Sequence, residues 1–93
     1  MIYRVILSRR VVKALERLPQ HVVDKLQTWA RSVRLMGLEE VRRVPGYHDE
    51  ALKGGRVGQR SVRLTLAYRA IYVVRPDGAA EVAVVEEVHK HDY

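Results

Sequence analysis

Cysteine is missing from all 93 residues, which excludes disulfide staples, thiolate zinc sites, iron–sulfur clusters and a cysteine nucleophile. The cytoplasm is the expected compartment. No apolar run approaches the length that spans a bilayer, and residues 1–7 are too short for a signal h-region before Arg9 and Arg10. Neither targeting nor a membrane partner is therefore expected. The chain also lacks an internal repeat and any linker long enough to divide it, so one domain over residues 1–93 is expected, too small for a multi-lobed enzyme. Acidic residues are the minority. Eleven Asp and Glu face seventeen Lys and Arg, a net charge of +6, and thirteen of those cations are arginine. The planar guanidinium grips phosphate with two parallel hydrogen bonds where lysine offers a point charge, so the surplus suits nucleic acid, or equally an acidic protein.

Hydrophobic spacing supplies the fold class. Residues 2–7 are almost wholly apolar and read as a buried strand ending at Ser8, a good helix N-cap. Val11, Val12, Leu15 and Leu18 then recur at helical spacing, with Arg9, Arg10, Lys13, Glu16 and Arg17 outward, until Pro19 ends the helix. Val22, Val23, Leu26, Trp29, Ala30 and Val33 define a second helix stopped by Gly37, so the two form a hairpin whose stripe, Trp29 included, is core. Residues 38–58 hold Pro45, Gly46, Gly54, Gly55 and Gly58 without a sustained period and read as a long connection of the kind that carries function. Val62 and Leu64 alternate with Ser61 and Arg63; residues 68–74 form another strand; Pro76-Asp77-Gly78 makes a tight turn into the last. There Val82, Val84 and Val88 are expected on one face, with Glu87, His89 and His91 on the other. The prediction is a two-layer α+β domain of order β-α-α-β-β-β, a helical hairpin on one face of a small, mainly antiparallel sheet.

Residues able to do chemistry concentrate late in the chain: Glu50, Lys53, Arg56, Arg60, Arg63 and Arg69, then His89, Lys90, His91, Asp92 and Tyr93. RNA is cut without metal when a base takes the 2′-hydroxyl proton, cations stabilise the charged transition state and an acid protonates the departing 5′-oxygen. Glu50 and His91 are the candidate base and acid. Other uses remain open. Glu50 could simply pair with Lys53 or Arg69 at the surface, and Arg63 and Arg69 could pair with Glu81, Glu86 or Glu87 across strands. His89 and His91, two apart on a strand, could also face a zinc ion with Asp92, Glu87 or His48. No metal and no cofactor is expected.

The second half of the chain resembles the RelE/ParE-family toxins of type II toxin–antitoxin systems, in their RelE/YoeB-like branch. The resemblance is carried by Glu50-Ala51-Leu52-Lys53-Gly54-Gly55, by Gly58-Gln59-Arg60-Ser61-Val62-Arg63, by Tyr68-Arg69-Ala70-Ile71-Tyr72 and by the tail from His89 to Tyr93. Ala14-Leu15-Glu16-Arg17-Leu18-Pro19 extends it less specifically towards the start. It implies a helical hairpin on a small sheet and a metal-independent endoribonuclease that cuts mRNA in the ribosomal A site, with a cognate antitoxin, the ribosome with its rRNA, and mRNA as partners. By the same resemblance Glu50 is the general base, Arg69 holds the scissile phosphate with Arg63, and His91 is the acid. Tyr93 joins the catalytic set, although Asp92 separates it from His91 where family members have the two adjacent. Lys53, Arg56, Arg60, His89 and Lys90 would form the surface that meets RNA and ribosome. Two alternatives share the fold: a ParE-like inhibitor of DNA gyrase, and a basic RNA- or antitoxin-binding domain without chemistry.

Overall fold

Ser8 opens the first helix as its position predicts: its extended backbone lets the side-chain oxygen accept the Val11 amide at 3.2 Å. The computed structural model describes residues 1–90. Strand β1 (Arg4–Leu7) precedes Ser8 and α1 (Arg9–Ala14) follows it. The helix stops well short of Pro19, because the amides of Arg17 and Leu18 both turn back to the Ala14 carbonyl. Leu15 and Leu18 still pack against the core, but Val12, expected among the buried residues, is 52% exposed. A helix this short turns only Val11 fully inward.

Helix α2 (Gln20–Met36) follows the sequence pattern, with Val22, Val23, Leu26, Trp29, Ala30 and Val33 all buried. Gly37 ends it at φ 87, donating its amide to Val33 at 2.8 Å, and a Cβ there would lie 3.3 Å from the Tyr3 ring. The expected loop over residues 38–58 contains more structure than its composition suggests. Helix α3 (Leu38–Arg42) buries Leu38 and Val41 completely; turns of 3₁₀ helix cover Pro45–Tyr47 and Gly54–Arg56; and a two-residue strand, β2 (Glu50–Ala51), lies between them. Elements this short contain too few apolar residues to establish a period.

Strands β3 (Gln59–Arg63), β4 (Tyr68–Asp77) and β5 (Ala80–Lys90) complete a five-stranded sheet of order β1-β5-β4-β3-β2. β1 runs parallel to β5 and every other pair is antiparallel. β1 is thus an edge strand, not a buried one, and Ile6 is exposed. Asp77 pairs with Ala80, leaving Gly78 and Ala79 as the β4–β5 turn, with Gly78 at φ 65.

β5 departs from simple alternation. Ile71 pairs with Glu87 but Tyr72 with Val85, so Glu86 is an extra residue in a β-bulge. The bulge separates the three valines expected on one face: Ala83 and Val85 join the helix-side core and Val88 packs against it, whereas Val82 and Val84 alternate to the other side. The α+β expectation holds, with the helices over one face and the core between layers. At its centre the rings of Trp29 and Tyr72 lie 5.3 Å apart at 44°, a tilted aromatic pair. No helix among the described residues is long and apolar enough to cross a membrane.

Candidate active site

Two adjacent acids meet opposite fates at β2. Asp49 lies with its side chain only 1% exposed on the helix side, where Arg60 Nε donates to Oδ1 at 2.6 Å and the Tyr72 hydroxyl donates to Oδ2 at 2.6 Å. Arg42 Nε, from the end of α3, donates in turn to the Tyr72 oxygen at 3.1 Å. Burial and the bond to Asp49 push the Tyr72 phenol up to about 12. Burial pulls the Arg60 guanidinium down, but Asp49 and Tyr72 together more than offset this and the net shift is upward. Glu50, one residue on, pairs with Ser61 and is 65% exposed on the other face. The network behind the sheet thereby fixes the start of the strand that presents Glu50 in front of it.

The Tyr72 shift has a testable sign. An unfolded tyrosine titrates near 10, so between about 10 and 12 the unfolded chain releases a proton that the folded one keeps. The contribution is fully present below about pH 10 and is lost as pH rises through about 12, on the order of 2–3 kcal/mol. Urea melts of Tyr72→Phe are expected to lack this part of the alkaline loss; an alkaline limb as steep as the parent's would disprove it.

On the open face, Glu50, Leu52, Arg56, Ser61, Arg69, Ile71 and His89 line a cleft of about 210 Å³. Arg69, its side chain only 13% exposed, donates to Ser61 Oγ at 3.1 Å and stands 3.8 Å from a Glu50 oxygen. His89 is its direct neighbour across β5. Its Nδ1 lies 3.2 Å from the Lys90 carbonyl oxygen, which can only accept, so that nitrogen carries the proton and Nε2 is unprotonated in the neutral ring. A carboxylate, a largely buried guanidinium, a hydroxyl and an imidazole thus converge: a proton acceptor, an anchor for an anion and a ring that offers both a donor and an acceptor nitrogen.

Of the residues expected to act, the fold gathers Glu50, Arg69, Arg56 and His89 around this cleft. Arg63 pairs with Arg69 in the strand register but lines a different cleft, with Lys25, Thr28 and Tyr47, and its buried Nε has no partner among the described residues. Arg60 is committed to Asp49, on the helix side. Lys53 and Lys90 are exposed. His91 and Tyr93 lie outside the described residues. Asp49 escaped the sequence reading, since an acid beside Glu50 signals nothing until Arg60 and Tyr72 are brought to it.

Comparison with solved structures gives the fold its place. The YoeB/ParE toxin from Agrobacterium tumefaciens superposes with a TM-score of 0.65 at 21% identity, over 96% of this chain and 99% of that one. The chain has the RelE/YoeB toxin fold. YafQ from E. coli BL21(DE3) matches with a TM-score of 0.67 at 17% identity, over 92% of this chain and 90% of that one. The Staphylococcus aureus YoeB–YefM complex contains a chain that also gives 0.67, at 18% identity and 97% coverage of both. By sequence the chain matches no protein-family model and no curated protein. The RelE/YoeB resemblance therefore rests on the motifs above and on this fold.

Proposed function

We propose that the protein is the toxin of a type II toxin–antitoxin system, acting as a metal-independent endoribonuclease that cuts mRNA in the ribosomal A site. The observation that carries this reading is the convergence of Glu50, Arg69, Ser61 and His89 on one cleft of the open sheet face. Glu50 accepts the proton of the 2′-hydroxyl, whose oxygen then attacks the phosphorus. Arg69 and Ser61 hold the phosphate and stabilise its growing charge. The bond from phosphorus to the 5′-oxygen breaks, and an acid protonates that oxygen. His91 has this part by family resemblance. The products are a 2′,3′-cyclic phosphate and a 5′-hydroxyl. A cognate antitoxin with acidic and apolar segments restrains the protein, drawn by the +6 charge. The fold it shares with the toxin of the YoeB–YefM complex supports such a partner.

The test is primer extension on programmed ribosomes with EDTA present. Cleavage within the A-site codon is expected; cleavage abolished by EDTA with the fold intact would refute the metal-free route. Growth arrest without cut mRNA, together with lost gyrase supercoiling, would instead support a ParE-like inhibitor. Lys53, exposed and next in sequence to Leu52 of the cleft, is expected to contact a phosphate. Lys53→Ala should then make the slope of log affinity against log salt shallower by about 1 in ribosome binding. An unchanged slope would remove Lys53 from the interface.

A further inference from the structure

Between α2, the Pro45–Tyr47 turn and the end of β3 lies a second cleft, about 250 Å³, walled by Lys25, Thr28, Val44, Tyr47, Arg63 and Leu64. It shares no lining residue with the candidate active site. Lys25 and Thr28 stand three residues apart on one side of α2, both exposed, while Arg63 is half-buried and its Nε has no acceptor among the described residues. Other arginines nearby differ. Arg42 donates to Tyr72, Arg60 to Asp49 and Arg69 to Ser61, and a buried N–H left without an acceptor is both rare and destabilising in a native fold. Neither Lys25 nor Arg63 forms an ion pair among the described residues. Two cations thus line one cleft without a counter-charge. The rest of the wall is apolar: Leu64 is buried, Tyr47 packs against the core and Val44 is 37% exposed.

We propose that this cleft docks an acidic peptide segment of a protein partner, taking one Asp or Glu side chain flanked by apolar residues. The carboxylate accepts from Arg63 Nε–H and one terminal N–H in the two-bond fork that arginine offers, with Lys25 as a second counter-charge and the Thr28 hydroxyl as a further donor. Nε is closed to water in the free protein, so the carboxylate enters by opening the wall at the Pro45–Tyr47 turn, a single turn of 3₁₀ helix with poor hydrogen-bond geometry. The flanking apolar residues then cover Val44 and the Tyr47 ring, which a bare phosphate group cannot do. Size agrees. The cleft, about 250 Å³, falls below the range of about 300–1,000 Å³ for small-molecule sites, so it fits a side chain and not a nucleotide. The net charge of +6 draws an acidic partner to the protein. This goes beyond the nuclease reading and does not depend on it, since the two clefts are built from different residues.

The test is an NMR titration of the isotope-labelled full chain with acetyl-Leu-Glu-Leu-amide, its Gln counterpart, inorganic phosphate and a short single-stranded RNA. The Glu peptide should shift the Arg63 Nε–H signal and the backbone amides of Thr28, Tyr47 and Leu64. The Gln peptide should bind about 10-fold more weakly, the worth of a hydrogen bond to a charged group. Lys25 is exposed, so Lys25→Glu keeps the fold and should weaken the Glu peptide by a similar factor. Equal binding of the two peptides, binding undiminished in Lys25→Glu, or shifts that bypass Arg63 overturn the proposal. Tighter binding of phosphate or RNA than of the Glu peptide at Arg63 also overturns it, and makes the cleft a nucleic-acid contact. Cleavage of mRNA enters none of these measurements, so their failure and that of the nuclease reading are told apart.

Discussion

Glu50→Gln should slow mRNA cleavage by roughly 10²- to 10⁴-fold, the usual worth of a positioned general base, and leave ribosome binding nearly unchanged. The amide keeps the shape of the carboxylate but cannot take the 2′-hydroxyl proton. The ground state loses little, since Glu50 is 65% exposed and its ion pair to Arg69 spans 3.8 Å of partly solvated space. Removing the negative charge also leaves Arg69 freer to receive phosphate, so affinity should hold or tighten slightly. Arg69→Ala is the contrast. In the proposed mechanism Arg69 holds phosphate in both ground and transition states, so affinity and rate should fall together. Single-turnover cleavage and ribosome-binding measurements on both variants separate the two patterns. Full-speed cleavage by Glu50→Gln would reassign the base.

The sequence made the long helix and the meander legible because α2 carries six core residues at helical spacing and β3 to β5 are long enough to alternate. What stayed hidden is short or non-local. α3 and β2 span five and two residues, fewer than a period needs. The bulge at Glu86 leaves no composition signal, yet it reverses which valines of β5 meet the helices. The open-face site was legible in part. His89 falls on the face that alternation predicts, because the end of β5 pairs in regular register with β4 and sets it beside Arg69, whereas Glu50 belongs to the expected loop over residues 38–58 and gains its face only through β2. Arg60 shows where composition misleads. Surplus arginine in a basic loop reads as surface for RNA, but Arg60 pairs in register with Tyr72 and so turns toward the helices, where Asp49 is buried.

That inward placement makes Arg60→Ala the largest expected stability loss among these substitutions, about 3 kcal/mol. Its guanidinium is 28% exposed and so only partly desolvated, whereas its partner Asp49 is 1% exposed. Deleting the cation leaves the Asp49 carboxylate in the interior with the Tyr72 hydroxyl as its remaining side-chain donor among the described residues. A buried charge without its counter-charge costs far more than a surface pair is worth. For a domain of this size such a loss lowers Tm by roughly 10–25 °C. Arg60→Lys should recover part of it, since it restores the charge without the fixed geometry of the guanidinium. Hydrogen exchange locates the damage: the Leu52 amide, which bonds to the Gln59 carbonyl at 2.9 Å beside β2, should lose protection first. Cleavage should fall in the same variant, because Glu50 follows Asp49 directly and depends on it for position. An Arg60→Ala protein with unchanged Tm but a reduced ribosome-binding salt slope would mean the side chain leaves Asp49 for phosphate, and the anchoring role would be lost.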